Sequence, residues 1–371
     1  MSTELSRYQG CLLGLAVGDA MGYTVDGKSW DQICQNYGPN GLLGYDLANG
    51  CAEVSSYTQI ASYVANGLLI GITRGHKEHY MRFVRQSMRE WARSQMFYRD
   101  PEAALCWVSK LPAFRRRNLM DSRMLDTLRA KTLGTPAEPI NQNTAPGAIT
   151  AAVAVGLSFD PKRMDPSFLG AMSAQTIALT HGCPEAFLSG VVLAYAIAGV
   201  VHEPELDFKT QFTHAVGAMQ AQYVRAFPQA ESLGQMLLQV IGSADPHEDT
   251  RAALENMHCD SADQCLAGAM YTCLVCPEDF DAAMILAVNH SGRSAAVGAV
   301  AGAILGAKMG YDTLPDFYLE SLEVLPILLE LAEDLSMGSP TMGLFDDDWD
   351  HKYTQGLPPV AETPDSSGGF A

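Results

Sequence analysis

The chain has 371 residues, enough to bury a large core in one or two domains. With 47% hydrophobic and 18% charged residues it is globular and not disordered, and its net charge of −18 argues against nucleic acid or an anionic membrane as its main partner. The nine cysteines, odd in number and scattered through aliphatic segments, read as reduced thiols of a cytoplasmic protein.

The start, Met1–Gly10, is polar, and Asp19 interrupts the apolar run behind it, so no signal peptide is expected. Residues 10–22, GCLLGLAVGDAMG, place glycine at 10, 14, 18 and 22. That spacing puts all four on one face of a helix, at about 1 kcal/mol of lost propensity each, which points to a close backbone neighbour. Asp19 within it needs a buried partner, and holding a neighbouring loop is the role expected of it.

Residues 28–57 look irregular, with Gly-Pro-Asn-Gly and other turn signals. Ser55-Ser56 then opens a helix, in which Ile60, Tyr63, Val64, Leu68 and Ile72 keep a 3.6-residue period. Residues 78–110 predict two amphipathic helices broken at Arg99-Asp100-Pro101, and 111–147 mostly loop with one helix near 121–129. Arg115-Arg116-Arg117 is the one dense basic cluster, either a solvated patch or a phosphate contact.

From 145 the chain is helical again. The run 186–201 contains Ser189 and is too short to span a bilayer, so it reads as a buried helix. His181-Gly182 ends the helix before it, and Pro184 starts it. Further helices are expected at 208–226, 232–241, 248–256 and 261–276, with 279–289 leading into a polar loop, and a last helix at 317–337. Strand alternation is absent, so the expectation is one all-α domain over 1–337. Residues 338–371, acidic and rich in Gly, Pro and Ser, are expected to form a loosely attached tail, and Phe345–Trp349 could dock on a partner or on a second copy.

Asn289–Gly310, NHSGRSAAVGAVAGAILGAKMG, repeats the glycine stripe at 298, 302, 306 and 310 behind a short polar loop. Two such stripes could pack face to face, or each against another helix. An antiparallel pair would bring Gly22–Asp26 to Ser291–Ser294, where a helix N-terminus suits an anion. Cys259, Cys265, Cys273 and Cys276 include one CxxC spacing, but their pattern matches no zinc knuckle and reads as buried thiols. His181, between two apolar helices, reads as a hydrogen-bonding residue before a catalytic one.

GCLLGLAVGDAMG, YTQIASYVANGLL, LTHGCPEA and AVNHSGRSAAVGAVAGAILGA, in this order and spacing, resemble the ADP-ribosylglycohydrolase family. The resemblance covers most of residues 7–312. It implies a compact all-α fold and, in active members, removal of ADP-ribose from a side chain or small acceptor with two Mg²⁺ ions. The family's first metal motif resembles Thr-Asp-Asp-Thr, where this chain has Ser55, Ser56, Tyr57 and Thr58. Its second resembles Gly-Gly-Asp-x-Asp-Thr, where this chain has Ser291, Gly292, Arg293, Ser294, Ala295 and Ala296. An acidic residue after the first helix corresponds to Asp26, and a Met-Arg pair to Thr150 and Ala151.

Both carboxylates of each motif are therefore replaced. Mg²⁺ needs near-octahedral oxygen ligands with carboxylate charge, and a fixed guanidinium repels it. The expectation is a metal-free, degenerate member without cofactor. It could bind an ADP-ribose-like ligand through Ser55, Ser56, Tyr57, His181 and the loop Ser291, Gly292, Arg293 and Ser294. Tyr57 could stack on a base or fill the vacated metal space. The alternatives are a metal-independent glycoside hydrolase using Asp26 as its carboxylate, and a structural or protein-interaction role.

Overall fold

The computed structural model describes residues 4–75, 80–96, 104–338 and 347–354. Within these the chain is all-α, with no strand and only isolated bridges, Ala48 with Cys51 and Ala52 with Leu322. Two helices form its axis: α1 (Glu4–Val25) and α14 (Ser294–Met309). They run antiparallel along the glycine stripes. A β-carbon on Gly14 would lie 2.1 Å from the carbonyl oxygen of Gly302, and one on Gly302 would lie 2.0 Å from that of Gly14. Gly10 pairs with Gly306 in the same way, Gly18 with Gly298, and Gly22 meets the Ser294 carbonyl. Each glycine is thus required by a backbone in direct contact, and of the two packings the sequence allows, the face-to-face one is present.

Around this pair lie α3 (Ser56–Thr73), α8 (Pro184–His202), α12 (Ala262–Val275), α13 (Phe280–Val288) and α16 (Leu325–Met337). Residues 294–307 and 10–22 are buried without a break. An outer set, α4 (Tyr80–Ser94), α6 (Ala151–Ser158), α7 (Pro166–Ala178), α9 (Phe208–Tyr223) and α10 (Gln229–Ser243), covers α3 and α8. Among the described residues α8 is the one helix long and apolar enough to cross a membrane, and its apolar stretch is 78% buried by its neighbours.

Several boundaries differ from the sequence expectation. The stretch 28–57 contains α2 (Trp30–Tyr37), started by a capping box in which Ser29 accepts from the Gln32 N–H and the Gln32 side chain accepts from the Ser29 N–H. The second helix expected within 78–110 is represented in 104–110 only by a 3₁₀ turn, Trp107–Lys110, and the Arg99-Asp100-Pro101 break lies outside the described residues. Between them and the domain's middle runs α5 (Arg123–Arg129), and α11 (Thr250–Asn256) precedes α12. The expected helix 317–337 is two, α15 (Asp316–Leu319) and α16, because Pro326 starts α16 afresh.

The tail expectation also changes. Residues 347–353 form α17 (Asp347–Tyr353), seated on the core. Trp349 and Tyr353 are buried, and the Tyr353 hydroxyl donates to Asp334 Oδ2 at 2.6 Å. Lys352 pairs with Glu330 at 2.7 Å and Asp334 at 3.2 Å. The partner-docking role expected for Phe345–Trp349 is therefore at odds with Trp349, which packs within its own chain; Phe345 lies outside the described residues.

Candidate functional site

The C-terminal end of α1, the start of α3 and the loop before α14 converge. Gly27 N–H donates to the Gly292 carbonyl at 3.1 Å, and Asp26 accepts from the Ala295 N–H at 3.0 Å. Ala295 is in the first turn of α14, whose N-cap residue Arg293 makes no side-chain cap bond. The anion at this helix N-terminus is therefore the Asp26 carboxylate, delivered from another helix. Its side chain is 8% exposed, and burial raises its pKa to about 6 against the pull of Ala295 N–H and Arg293.

Arg293 reaches 3.7 Å from Asp26 and 3.0 Å from Asp260. Burial works against its charge, but these two carboxylates outweigh it and hold the guanidinium above its ordinary value. The rest of the loop is tied inward. Ser291 donates through both N–H and Oγ to Glu255, and its Oγ accepts from Trp30 N–H. Gly292 N–H donates to His290 Nδ1, Arg293 N–H donates to the Cys259 carbonyl at 2.7 Å, and Ser294 Oγ donates to the His290 carbonyl. A side chain at Gly292 would strike the carbonyls of His258 and Cys259, whose positive φ angles hook that segment under the loop.

On the α3 side the hydroxyls serve the scaffold. Ser55 Oγ donates to Asp19 Oδ1 at 2.5 Å, Thr58 Oγ1 donates to Asp19 Oδ2 at 2.6 Å, and both N–H groups donate to the same carboxylate. Asp19 is fully buried, and this raises its pKa to about 6 despite those four bonds. It holds the N-terminus of α3, the loop-holding role expected of it. Ser56 N–H donates to the Asn118 carbonyl, and Ser56 Oγ accepts from Met120 N–H. Tyr57 is 1% exposed. Burial first, and then Asp26, Cys265 and Asp19, push its phenol well above its ordinary value, while Arg293 pulls the other way. Tyr57 is thus a buried phenol in the field of both Asp26 and Arg293.

His181 is fully buried. Its Nδ1 is 2.8 Å from Thr180 Oγ1, and its Nε2 is 3.3 Å from Asp121 Oδ2. Although burial opposes it, bonds from His181, Arg123 and Asn143 hold the Asp121 carboxyl well below the usual range. Among the described residues His181 shares no hydrogen bond or ion pair with Ser55–Tyr57 or Ser291–Ser294. Thr150 supports the site from that side by donating to the Tyr57 carbonyl at 2.7 Å. Sequence reading did not find Asp260, Glu255, Asn118 or Asp121; each acts from a segment distant in sequence, and none carries a local pattern. Arg116 of the basic cluster pairs with Glu53 and Glu323. Cys259, Cys265 and Cys273 are buried free thiols, raised in pKa by burial.

The sequence matches the ADP-ribosylglycohydrolase family over residues 1–343. The chain belongs to this family. No curated protein matches it. A solved structure described as an ADP-ribosylglycohydrolase-related protein complex is similar at 21% identity, with a TM-score of 0.58 over 91% of this chain and 99% of that one. That likeness supports the family fold. Of the four residues that the resemblance sets at motif carboxylate positions, Ser56, Tyr57 and Ala295 are buried and Arg293 is half-buried. Among the described residues no group of three or more His, Cys, Asp or Glu side chains is placed to hold a metal ion.

Proposed function

We propose that this chain is an ADP-ribosylglycohydrolase-family protein that does not carry out the family's Mg²⁺-dependent hydrolysis. The observation that carries this reading is Tyr57, a phenol 1% exposed at a position the resemblance gives to a metal-binding carboxylate. The donor set does not suit two Mg²⁺ ions. Ser56 Oγ is engaged by Met120 N–H, Tyr57 is a neutral phenol, Ala295 offers no side-chain oxygen, and Arg293 is a fixed cation.

For an ADP-ribose-like ligand, the reading leaves only Ser291 and the half-exposed Arg293 within reach. Ser55, Ser56, Tyr57, His181 and Ser294 are each at most 1% exposed. A phosphate would have to displace Asp26 or Asp260 from the guanidinium, so we expect ADP-ribose to bind weakly, on the outside of the loop.

A second reading is favoured by the placement of Asp26, a buried carboxyl beside Ala295 N–H and Arg293 that burial pushes up to about 6, where it could serve as a general acid in metal-independent glycoside hydrolysis. ADP-ribosylated arginine and serine peptides, incubated with the full chain with and without Mg²⁺, test both. The expected result is no turnover in either case. Metal-independent turnover abolished by Asp26→Asn would replace the first reading with the second, and Mg²⁺-dependent turnover would overturn both.

A further inference from the structure

Residues 80–96 and 104–131 carry eleven of the chain's 24 Lys and Arg residues but only three of its 42 Asp and Glu residues. In a protein of net charge −18 this is a strong local reversal. Two of the three acids lie inside. Glu90 is buried and accepts from Leu105 and Cys106 N–H, and Asp121 is buried with His181, Arg123 and Asn143 around it. Asp126 alone reaches solvent, beside Arg129 at 3.4 Å. The cations are ordered. At about 100° per residue, Arg82, Arg85, Arg89 and Arg93 fall within about 80° of one another on α4. Its other side, with Phe83, Val84, Met88 and Trp91, is buried. Arg89 donates to the Ala130 and Lys131 carbonyls, which brings the end of α5 alongside. Past Arg93, Met96 joins Arg117, Ser122, Leu125, Asp126 and Arg129 around a cavity of about 330 Å³.

Among the described residues no carboxylate pairs with Arg82, Arg85, Arg89, Arg93 or Arg117. Like charges at i and i+4 destabilise a helix, and an anionic partner would offset that repulsion. Chemistry narrows the partner. The aromatic residues of α4 are buried, so nucleic-acid bases find no stacking platform. Among the described residues none of the large exposed apolar side chains belongs to this face, so it has nothing to insert into a bilayer. A long polyanion would also meet the charge of the whole molecule, whereas a short segment feels mainly the charges within a Debye length of about 8 Å. Arginine suits paired hydrogen bonds to carboxylates. Arg82 to Arg93 spans about 17 Å, and each step of four residues rises about 6 Å. Alternate residues of an extended chain lie about 6.6 Å apart, so carboxylates at every second position meet successive arginines.

We propose that this face of α4 binds an extended acidic protein segment with Asp or Glu at alternate positions, one end of it seated against Arg117 at the cavity. The site shares no residue with the motif loops and is independent of any reading of their chemistry. Fluorescence anisotropy of a labelled decapeptide of alternating Glu and Ser, titrated with the full chain at about 150 mM salt, tests it. Saturable one-to-one binding is expected. Arg85→Glu combined with Arg93→Glu should weaken it about tenfold or more. Arg117→Glu, a single change at an exposed side chain, should weaken it about threefold or more whether or not the double variant folds. Lys209→Glu combined with Arg225→Glu makes the same charge change at exposed side chains elsewhere and should leave binding unaltered. Absence of saturable binding up to millimolar protein would overturn the proposal. So would equal weakening by the control pair, equal affinity for a decapeptide with its five Glu in one block, or binding of single-stranded RNA or phosphatidylserine vesicles in place of the peptide.

Discussion

Along Gly10–Gly18 and Gly298–Gly306 the two central helices meet backbone to backbone, whereas at Asp26 and Ser291–Ala295 the same helices meet through a carboxylate, a guanidinium and loop N–H groups. The seam specifies the scaffold through shape and holds no chemistry. The loop end holds charge, and its side chains can change while the seam keeps the helices in place. The fold thus rests on the seam and does not depend on which side chains the loop end carries.

The largest expected effect lies in the seam. Gly302→Ala gains about 1 kcal/mol of helix propensity, yet puts a β-carbon 2.0 Å from the Gly14 carbonyl oxygen. It should cost about 3 kcal/mol or prevent folding, as read from the urea midpoint. Gly217→Ala, in α9 with nothing within 4 Å, is the contrast and should stabilise by about 0.5–1 kcal/mol. Equal effects at the two glycines would contradict the seam account.

The loop end should show itself in pH dependence. Asp26 has a folded pKa of about 6, raised above the ordinary 3.8, so the folded state takes up this proton first as pH falls. Its contribution is therefore fully present below 3.8 and lost as pH rises through about 6. It amounts to roughly 2–3 kcal/mol between those limits, with a similar share from Asp19. Asp121 is held low, so its opposite contribution is lost only below 3.8, outside this window. Asp26→Asn should remove one share of the gain in stability between pH 7 and pH 4. Identical pH profiles for variant and parent would show that Asp26 titrates normally.

Much of this was legible in the sequence, and the limits have physical causes. The paired stripes and the meeting of Gly22–Asp26 with Ser291–Ser294 follow from spacing, because a period of four residues fixes a helix face, and the role of Asp19 follows from the need of a buried carboxylate for partners. The partners Asp260, Glu255 and Asn118 do not, since tertiary hydrogen bonds between distant segments leave no periodic trace. At the helix N-terminus read as suited to an anion, the carboxylate of Asp26 accepts from Ala295 N–H, and no spacing rule distinguishes such a side chain from a ligand. The docked α17 was hidden by its acidic, Gly- and Pro-rich surroundings, although Trp349 and Tyr353 at i and i+4 mark one helix face.

Smaller effects sharpen the comparison further. Tyr353→Phe removes a buried hydroxyl that donates to Asp334 and accepts from Trp107 Nε1, and should cost about 1.5 kcal/mol in thermal or urea unfolding. Arg293→Ala removes a guanidinium that is 42% exposed and whose partner Asp260 is 72% exposed. It should change stability by only about 0.5 kcal/mol. A loss several times larger would mean that the loop end, like the seam, is a structural necessity.

The central claim is that the two motif segments hold no pair of divalent ions. Isothermal titration of the full chain with Mg²⁺ at neutral pH tests it most directly. The account predicts no saturable binding in the range of millimolar free Mg²⁺ and no shift in melting temperature beyond that of added salt. Saturable binding of two Mg²⁺ per chain, lost on Asp26→Asn, would contradict it.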